Sequence, residues 1–252
     1  MHITTILFDL GGTLEDLREE QEQKEKCIRL IHQIISTYDP LCKIEYPRFR
    51  TIVSEGFTSY KHWSSLSLKE EAGSIIWGDW IFKDFPEMKH LFLLLGDMLT
   101  DIWETLLYVR TLRPEVIPML QILRSRGYRM GIISNTTSKR MPHILLKNYG
   151  IAEFFEATIL SSELGIRKPD CRIFHHILSL MHLEPGSCLY VGDQPSRDAK
   201  GPRAAGFAGN CILGKPNLNL QQADQAYVDH WITNLSELPD LMEALQESNH
   251  AR

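Results

Sequence analysis

Apolar residues fall into two regimes of spacing along this chain. Between about Arg18 and Leu112 they recur at helical intervals. Cys27, Leu30, Ile31, Ile34, Ile35 and Tyr38 occupy the i, i+3, i+4, i+7 positions that gather one apolar stripe on a helix. Further helices are predicted at Pro47–Lys61, Leu68–Phe82 and Glu87–Leu107, and no strand is predicted in this zone.

Outside that zone, short β-branched or apolar runs alternate with helical stretches. Strands are predicted at Ile3–Phe8, Arg129–Ile133, Ala157–Leu160, Cys188–Val191, Asn210–Leu213 and His230–Ile232. Helices fit between or after them at Pro114–Arg126, Lys139–Tyr149, Asp170–His182, Arg197–Ala205 and Ser236–Glu247. Repeated strand–helix–strand units imply right-handed crossovers and a parallel sheet covered on both faces. The expectation is an α/β fold: a doubly wound parallel sheet with an all-helical cap domain inserted after the first strand. Residues 1–16 plus 113–252 would form the core and residues 17–112 the cap.

Composition narrows the functions by exclusion. A chain of 252 residues with 43% hydrophobic and 23% charged positions is ordinary for a soluble globular protein. Its formal charge of -5 argues against nucleic acid as a partner, since that recognition draws on clustered Lys and Arg. The run Leu91–Leu95 is far shorter than the roughly 18 residues of a membrane span, so no membrane role is expected. Cys27, Cys42, Cys171, Cys188 and Cys211 are odd in number and never form CxxC, which reads as buried, reduced thiols of a cytoplasmic protein. The apolar stretch in MHITTILFDLGG is too short for a secretory signal.

In an open α/β sheet, ligands sit beyond the carboxyl ends of the strands. Four segments there carry chemistry: Phe8-Asp9-Leu10-Gly11-Gly12-Thr13, Ile133-Ser134-Asn135, Arg167-Lys168-Pro169-Asp170, and Val191-Gly192-Asp193-Gln194-Pro195-Ser196-Arg197-Asp198. Asp9, Asp193 and Asp198 offer the hard oxygen donors that Mg²⁺ prefers. With Lys168 sharing a phosphoryl group, a free carboxylate is able to attack phosphorus, while Ser134 and the amides after it hold a phosphoryl oxygen.

In order and content these four segments resemble the motifs of the haloacid dehalogenase superfamily, from Ile3 to about Leu213. The resemblance implies a Rossmann-like core and a Mg²⁺-dependent phosphatase acting on a small phosphorylated metabolite through an aspartyl phosphate. By position, Asp9 would be the nucleophile, Ser134 the phosphoryl-oxygen donor and Lys168 the charge clamp. Substrate would also meet Asn135. The metal would be held by Asp9, the Gly11 carbonyl and Asp193, with Asp198 assisting through water or Lys168.

One position departs from the pattern. The family's second aspartate, which protonates the leaving group and later activates water, is Gly11 here. Its carbonyl remains but the acid is lost, a change worth about 10²- to 10⁴-fold in rate. Substrates with good leaving groups, such as acyl or anomeric sugar phosphates, would still phosphorylate Asp9. Glu15, Asp16 and His62 are candidate substitute acids. Two other readings stand beside the phosphatase: a non-catalytic phosphate- or protein-binding module, and a dehalogenase, against which Asp193 and Asp198 argue.

Taken singly, most of these residues have plainer roles. Asp9 is an ordinary turn residue and Asp198 an acid favoured at a helix N-terminus. His175 and His176 lack the i, i+4 spacing of a metal pair, so a surface or packed role is expected. Trp63, Trp77, Trp80, Phe82 and Phe85 are read first as cap core, with lining of a substrate pocket as the alternative.

Overall fold

The computed structural model describes residues 2–39, 43–216 and 222–250, so the expectation for Cys42 lies outside the described residues. Strand β1 (Thr5–Phe8) is buried throughout its length at the middle of a six-stranded sheet. The chain leaves it through β2 (Glu15–Glu19) and enters helices α1 (Gln21–Tyr38), α2 (Tyr46–Ser67), α3 (Gly73–Ile75) with its π-helical continuation Ile76–Ile81, and α4 (Lys89–Leu106). It returns on β3 (Tyr108–Leu112) and continues through α5 (Val116–Ser125), β4 (Arg129–Ser134), α6 (Met141–Asn148), β5 (Ala157–Leu160), α7 (Ser161–Leu164) and α8 (Cys171–Leu180). Strands β6 (Cys188–Gly192), β7 (Gly209–Leu213) and β8 (His230–Ile232) follow, with α9 (Lys200–Ala204), α10 (Gln222–Gln225) and α11 (Leu238–His250) between or after them.

All pairings in the large sheet are parallel, in the order β5-β4-β1-β6-β7-β8. This is a doubly wound sheet whose winding reverses between β1 and β6. The reversal opens a crevice at their carboxyl ends. Side chains alternate across the sheet as strand geometry requires. Ile6 and Phe8 pack with Val116, Leu120 and Leu123 of α5 and Leu238 and Met242 of α11. Leu7 faces the other layer, with Ile173, Phe174 and Ile177 of α8 and Tyr190 of β6. Each of these buried side chains contributes about 1.5–3 kcal/mol. All six strands expected in the α/β zone are present.

The helices between β2 and β3 have a core of their own, in which Ile31, Phe49, Phe57, Tyr60, Trp77, Phe92 and Trp103 are fully or almost fully buried. Two expectations fail in this part. The zone from Arg18 to Leu112 is not free of strand, because β2 and β3 form an antiparallel ribbon in which Glu15 opposes Leu112 and Glu19 opposes Tyr108. The expected division between residues 16 and 17 falls inside β2. Nor is Leu68–Phe82 one helix. Leu68 caps α2 in a left-handed turn (φ 57), and the next residues lie along the loop before Lys168. Glu70 N donates to Gly165 O (3.2 Å) and Arg167 N to Leu68 O (3.0 Å), partners that compete successfully with the helical ladder.

The aromatic residues behave as core: Trp77 and Phe82 are fully buried, and none of the five singled out lines the cavity described below. Cys27, Cys188 and Cys211 are buried free thiols, whereas Cys171 is only half-buried at the start of α8. His175 and His176 are exposed. No described helix is long and apolar enough to cross a membrane.

Helices α3 and α4 meet backbone to backbone at Gly73 and Gly96. A Cβ on Gly96 would fall 2.4 Å from Ser74 N and 2.6 Å from Gly73 C. Gly96→Ala is therefore expected to destabilise the protein by about 1–3 kcal/mol, the usual range for overpacking. Gly78→Ala, where the nearest atom would be 3.7 Å away, is expected to be far milder. Thermal unfolding of the two variants checks the contrast.

Candidate active site

Three strand ends and one loop converge at the crevice. Asp9 follows β1, Ser134 ends β4, and Asp193 and Asp198 follow β6. Lys168 comes in from the loop between α7 and α8 and is only 2% exposed. Its Nζ lies 3.0 Å from Asp9 Oδ1 and 2.8 Å from Asp198 Oδ1, and it donates to Tyr190 Oη at 2.8 Å. Tyr190 in turn donates to Ile133 O (3.0 Å), tying the lysine's anchor to β4.

Each side chain is set by its own segment. Leu10 N donates to Asp9 Oδ1 (2.8 Å), which fixes the carboxylate as the chain turns off β1. Asp198 Oδ2 accepts from the amides of Asp193 (3.2 Å) and Gln194 (3.0 Å), so the turn after β6 closes on its own acid. Asp193 sits against Gly12. A Cβ there would lie 2.5 Å from Asp193 Oδ2, and Gly12 also has φ +84, so glycine satisfies both the turn and the approach.

Asp9, Asp193 and Asp198 each present an oxygen within 4.8 Å of the others'. Two cations face this triad: Lys168, and Arg197, whose Nη2 is 3.3 Å from Asp193, 3.6 Å from Asp9 and 3.9 Å from Asp198. One negative charge is left over. Burial pushes the Asp9 carboxyl up, with Lys168 and Arg197 opposing and Asp198 assisting the rise. Asp193 is pushed up to about 6 by burial and by its two acidic neighbours. Burial also acts on Asp198, but Lys168 and Arg197 outweigh it and hold that carboxyl below its usual range. Hard oxygen donors carrying excess negative charge fit a divalent cation. Asp198 spends its oxygens on Lys168 and two backbone amides, and Asp193 accepts from Arg197 (3.3 Å) and Gln194 Nε2 (3.0 Å), so Asp9 Oδ2, 3.6 Å from Arg197, is the least committed oxygen of the triad.

A cavity of about 550 Å³ opens over this cluster, lined among others by Asp9, Gly11, Ser134, Asn135, Asp193 and Arg197. Asp9, Gly11, Ser134, Asn135 and Asp193 line it, and Lys168 and Asp198 lie immediately beneath. Two expected contacts need correction. The side chain of Asn135 is committed to the lysine loop, accepting from Lys168 N (2.9 Å) and donating to Lys168 O (3.1 Å), so it positions the lysine. The amides of Thr136 and Thr137 are taken by Ser161 Oγ (2.9 Å) and Glu104 Oε1 (3.2 Å). Of the amides expected to hold a phosphoryl oxygen, that of Asn135 remains.

Gly11 bridges backbone to backbone with Glu15. A Cβ at Gly11 would meet Leu17 Cδ1 at 3.0 Å and Glu15 Oε1 at 3.7 Å, so an acid there would meet another acid. Glu15 is fully buried, bound to Arg110 and accepting from Tyr149 Oη at 2.8 Å. Asp16 also lines the cavity, paired with Arg113 (2.8 Å); His62 is exposed and does not line it. Arg197 and Tyr190 are site residues that motif order did not disclose. Arg197 had a signal in its place beside Asp198; Tyr190 reads simply as one more apolar strand residue.

The helical unit grips the loops that carry the site. Buried Glu70 binds Arg167, accepts from Tyr60 Oη and accepts from Ser161 Oγ at 2.7 Å. From α4, Asp97 receives Lys139 (3.0 Å), Asp101 receives Ser138 and Arg140 (2.5 and 2.6 Å), and Glu104 receives Thr137 Oγ1 (2.7 Å).

A model of the haloacid dehalogenase-like hydrolases matches residues 3–206. The chain belongs to this hydrolase family. Haloacid dehalogenase-like hydrolase domain-containing protein 3 of Bos taurus is 33% identical over 126 residues, which cover 50% of this chain and 49% of that protein. The chain thus spans about half the length of that relative. A glyceraldehyde 3-phosphate phosphatase of Methanothermobacter thermautotrophicus is 28% identical over 229 residues, covering 90% of this chain and 91% of its own. Among solved structures, a 2-haloacid dehalogenase from Pseudomonas syringae pv. Tomato DC3000 superposes with TM-score 0.69 at 22% identity, over 96% of this chain and 99% of that one. That similarity is one of fold.

Removing the ammonium would leave two buried carboxylates facing each other. Lys168→Met is expected to cost about 3–5 kcal/mol of folding stability, as breaking a buried ion pair does. Tyr190→Phe, which removes one hydrogen bond, is expected to cost about 1 kcal/mol. Urea unfolding followed by circular dichroism measures both.

Proposed function

We propose that this protein is a Mg²⁺-dependent phosphatase that takes a small phosphorylated metabolite through an aspartyl phosphate on Asp9. The observation that carries the reading is the triad of Asp9, Asp193 and Asp198 around one buried lysine, at the floor of a cavity large enough for a metabolite. Asp9, the Gly11 carbonyl and Asp193 would hold Mg²⁺, whose charge would neutralise the phosphoryl oxygens. Asp198 keeps Lys168 in place.

A carboxylate oxygen of Asp9 attacks phosphorus, the bond from phosphorus to the ester oxygen breaks, and the leaving group departs with that electron pair. Water then attacks phosphorus, releasing orthophosphate and restoring the Asp9 carboxylate. Ser134 and Lys168 hold the phosphoryl oxygens in both steps. Because Gly11 supplies no acid, leaving groups that depart with little protonation suit this site best, and hydrolysis of the aspartyl phosphate is the slower step. Residues 17–112 act as a cap that excludes water, a role supported by their grip on the loop after Ser134 and the loop bearing Lys168.

Phosphate release from a panel of phosphorylated metabolites, with and without Mg²⁺, tests this reading. Release should require Mg²⁺ and disappear in Asp9→Asn; release that survives Asp9→Asn overturns the nucleophile assignment. A second measurement addresses Arg197, whose guanidinium lies among the carboxylates that would take the ion. Arg197→Met is expected to tighten Mg²⁺ binding by roughly tenfold, about 1.4 kcal/mol, in a calorimetric titration.

A further inference from the structure

Five cations line the cavity, and four of them are matched by acids. Arg197 faces the triad, Arg113 pairs with Asp16, Arg167 with Glu70, and Arg110 with Glu15. Lys61 differs. It projects from α2 on the wall that the helical unit contributes, and no described carboxylate lies within ion-pair distance of it. Its Nζ donates to Tyr108 Oη at 3.4 Å and stands 5.7 Å from the centre of that ring.

A second cation crowds the same ring. Tyr108 and Arg110 share a face of β3, and Arg110 Cζ is 5.6 Å from the Tyr108 centroid. Arg110 is 9% exposed, and its Nε is buried with no hydrogen-bond partner. Glu104, the other acid nearby, is seated on Thr137 and reaches Arg110 at 3.7 Å. Two cations share one aromatic ring, one without a counter-ion and the other with an unused donor. Lys61 is thus an exposed cation of the cavity lining that no described carboxylate neutralises.

We propose that Lys61, standing against the ring of Tyr108, binds a second anionic group on the substrate. The substrates are then phosphomonoesters that also carry a carboxylate or another phosphoryl group. This rests on the phosphatase reading for its reaction, but the binding preference is measurable without turnover.

The test is calorimetric titration, at fixed free Mg²⁺, with phosphonoacetate, methylenediphosphonate and ethylphosphonate, which carries the phosphonate alone. At least one of the first two should bind about tenfold more tightly than ethylphosphonate, the scale of one charge-assisted contact. Whichever gains identifies the second group as carboxylate or phosphoryl. Lys61→Met should abolish the preference, Lys61→Arg should keep it, and Lys83→Met, an exposed site outside the cavity, should leave it intact. Equal binding of all three probes, or a preference that survives Lys61→Met, overturns the proposal. Phosphate release from acetyl phosphate and succinyl phosphate, whose carboxylate leaving groups need little protonation, is followed in parallel. If neither is hydrolysed while the binding preference holds, the phosphatase reading falls and the anion site stands.

Discussion

One buried ammonium group holds this site together. Lys168 lies between the carboxylates of Asp9 and Asp198 and reaches Tyr190, almost wholly out of solvent. Charges buried like this are tolerated only when partners surround them. The surroundings are correspondingly elaborate. Asn135 fixes the lysine's backbone from β4, Tyr190 ties its tip to β4 through Ile133, and the turn after β6 supplies two amides to Asp198. Four segments far apart in sequence thereby acquire one geometry, and the crevice between β1 and β6 takes its chemistry from them.

The helical unit is fastened to the loops that build the site. Its contacts fall on the loop after Ser134 and on the loop before Lys168, through the carboxylates of α4 and through Glu70. A shift of these helices would therefore be felt at both loops at once. The same unit brings Lys61 to the cavity, so the wall that carries Lys61 and the loops around Lys168 are mechanically joined.

Much of this was legible in the residue pattern. Five of the six parallel strands announce themselves as short apolar runs that are largely buried, and the edge strand β8, with two half-buried residues, is the least enclosed. The chemistry at their ends was legible because α/β sheets put ligands there. What escaped has physical reasons. β2 and β3 read EDLRE and YVRTL, half-exposed segments whose ladder joins residues about ninety positions apart, so no local periodicity marks them. The break at Leu68 depends on backbone partners at residues 165–167. Asn135 looked like a substrate contact because its place in the motif says nothing of which backbone its amide will face. Arg110 and Lys61 matter only once β3 exists.

The ribbon also sets how the helical unit is joined to the sheet domain. Glu19 and Tyr108 stand directly across from each other in its last register pair. Neighbouring antiparallel strands lie about 5 Å apart, a gap that two residues close in an ordinary hairpin. Residues 20 to 107 therefore leave and rejoin the ribbon at a place where a tight reverse turn would suffice, so their length puts no demand on the spacing of the strands in the central sheet.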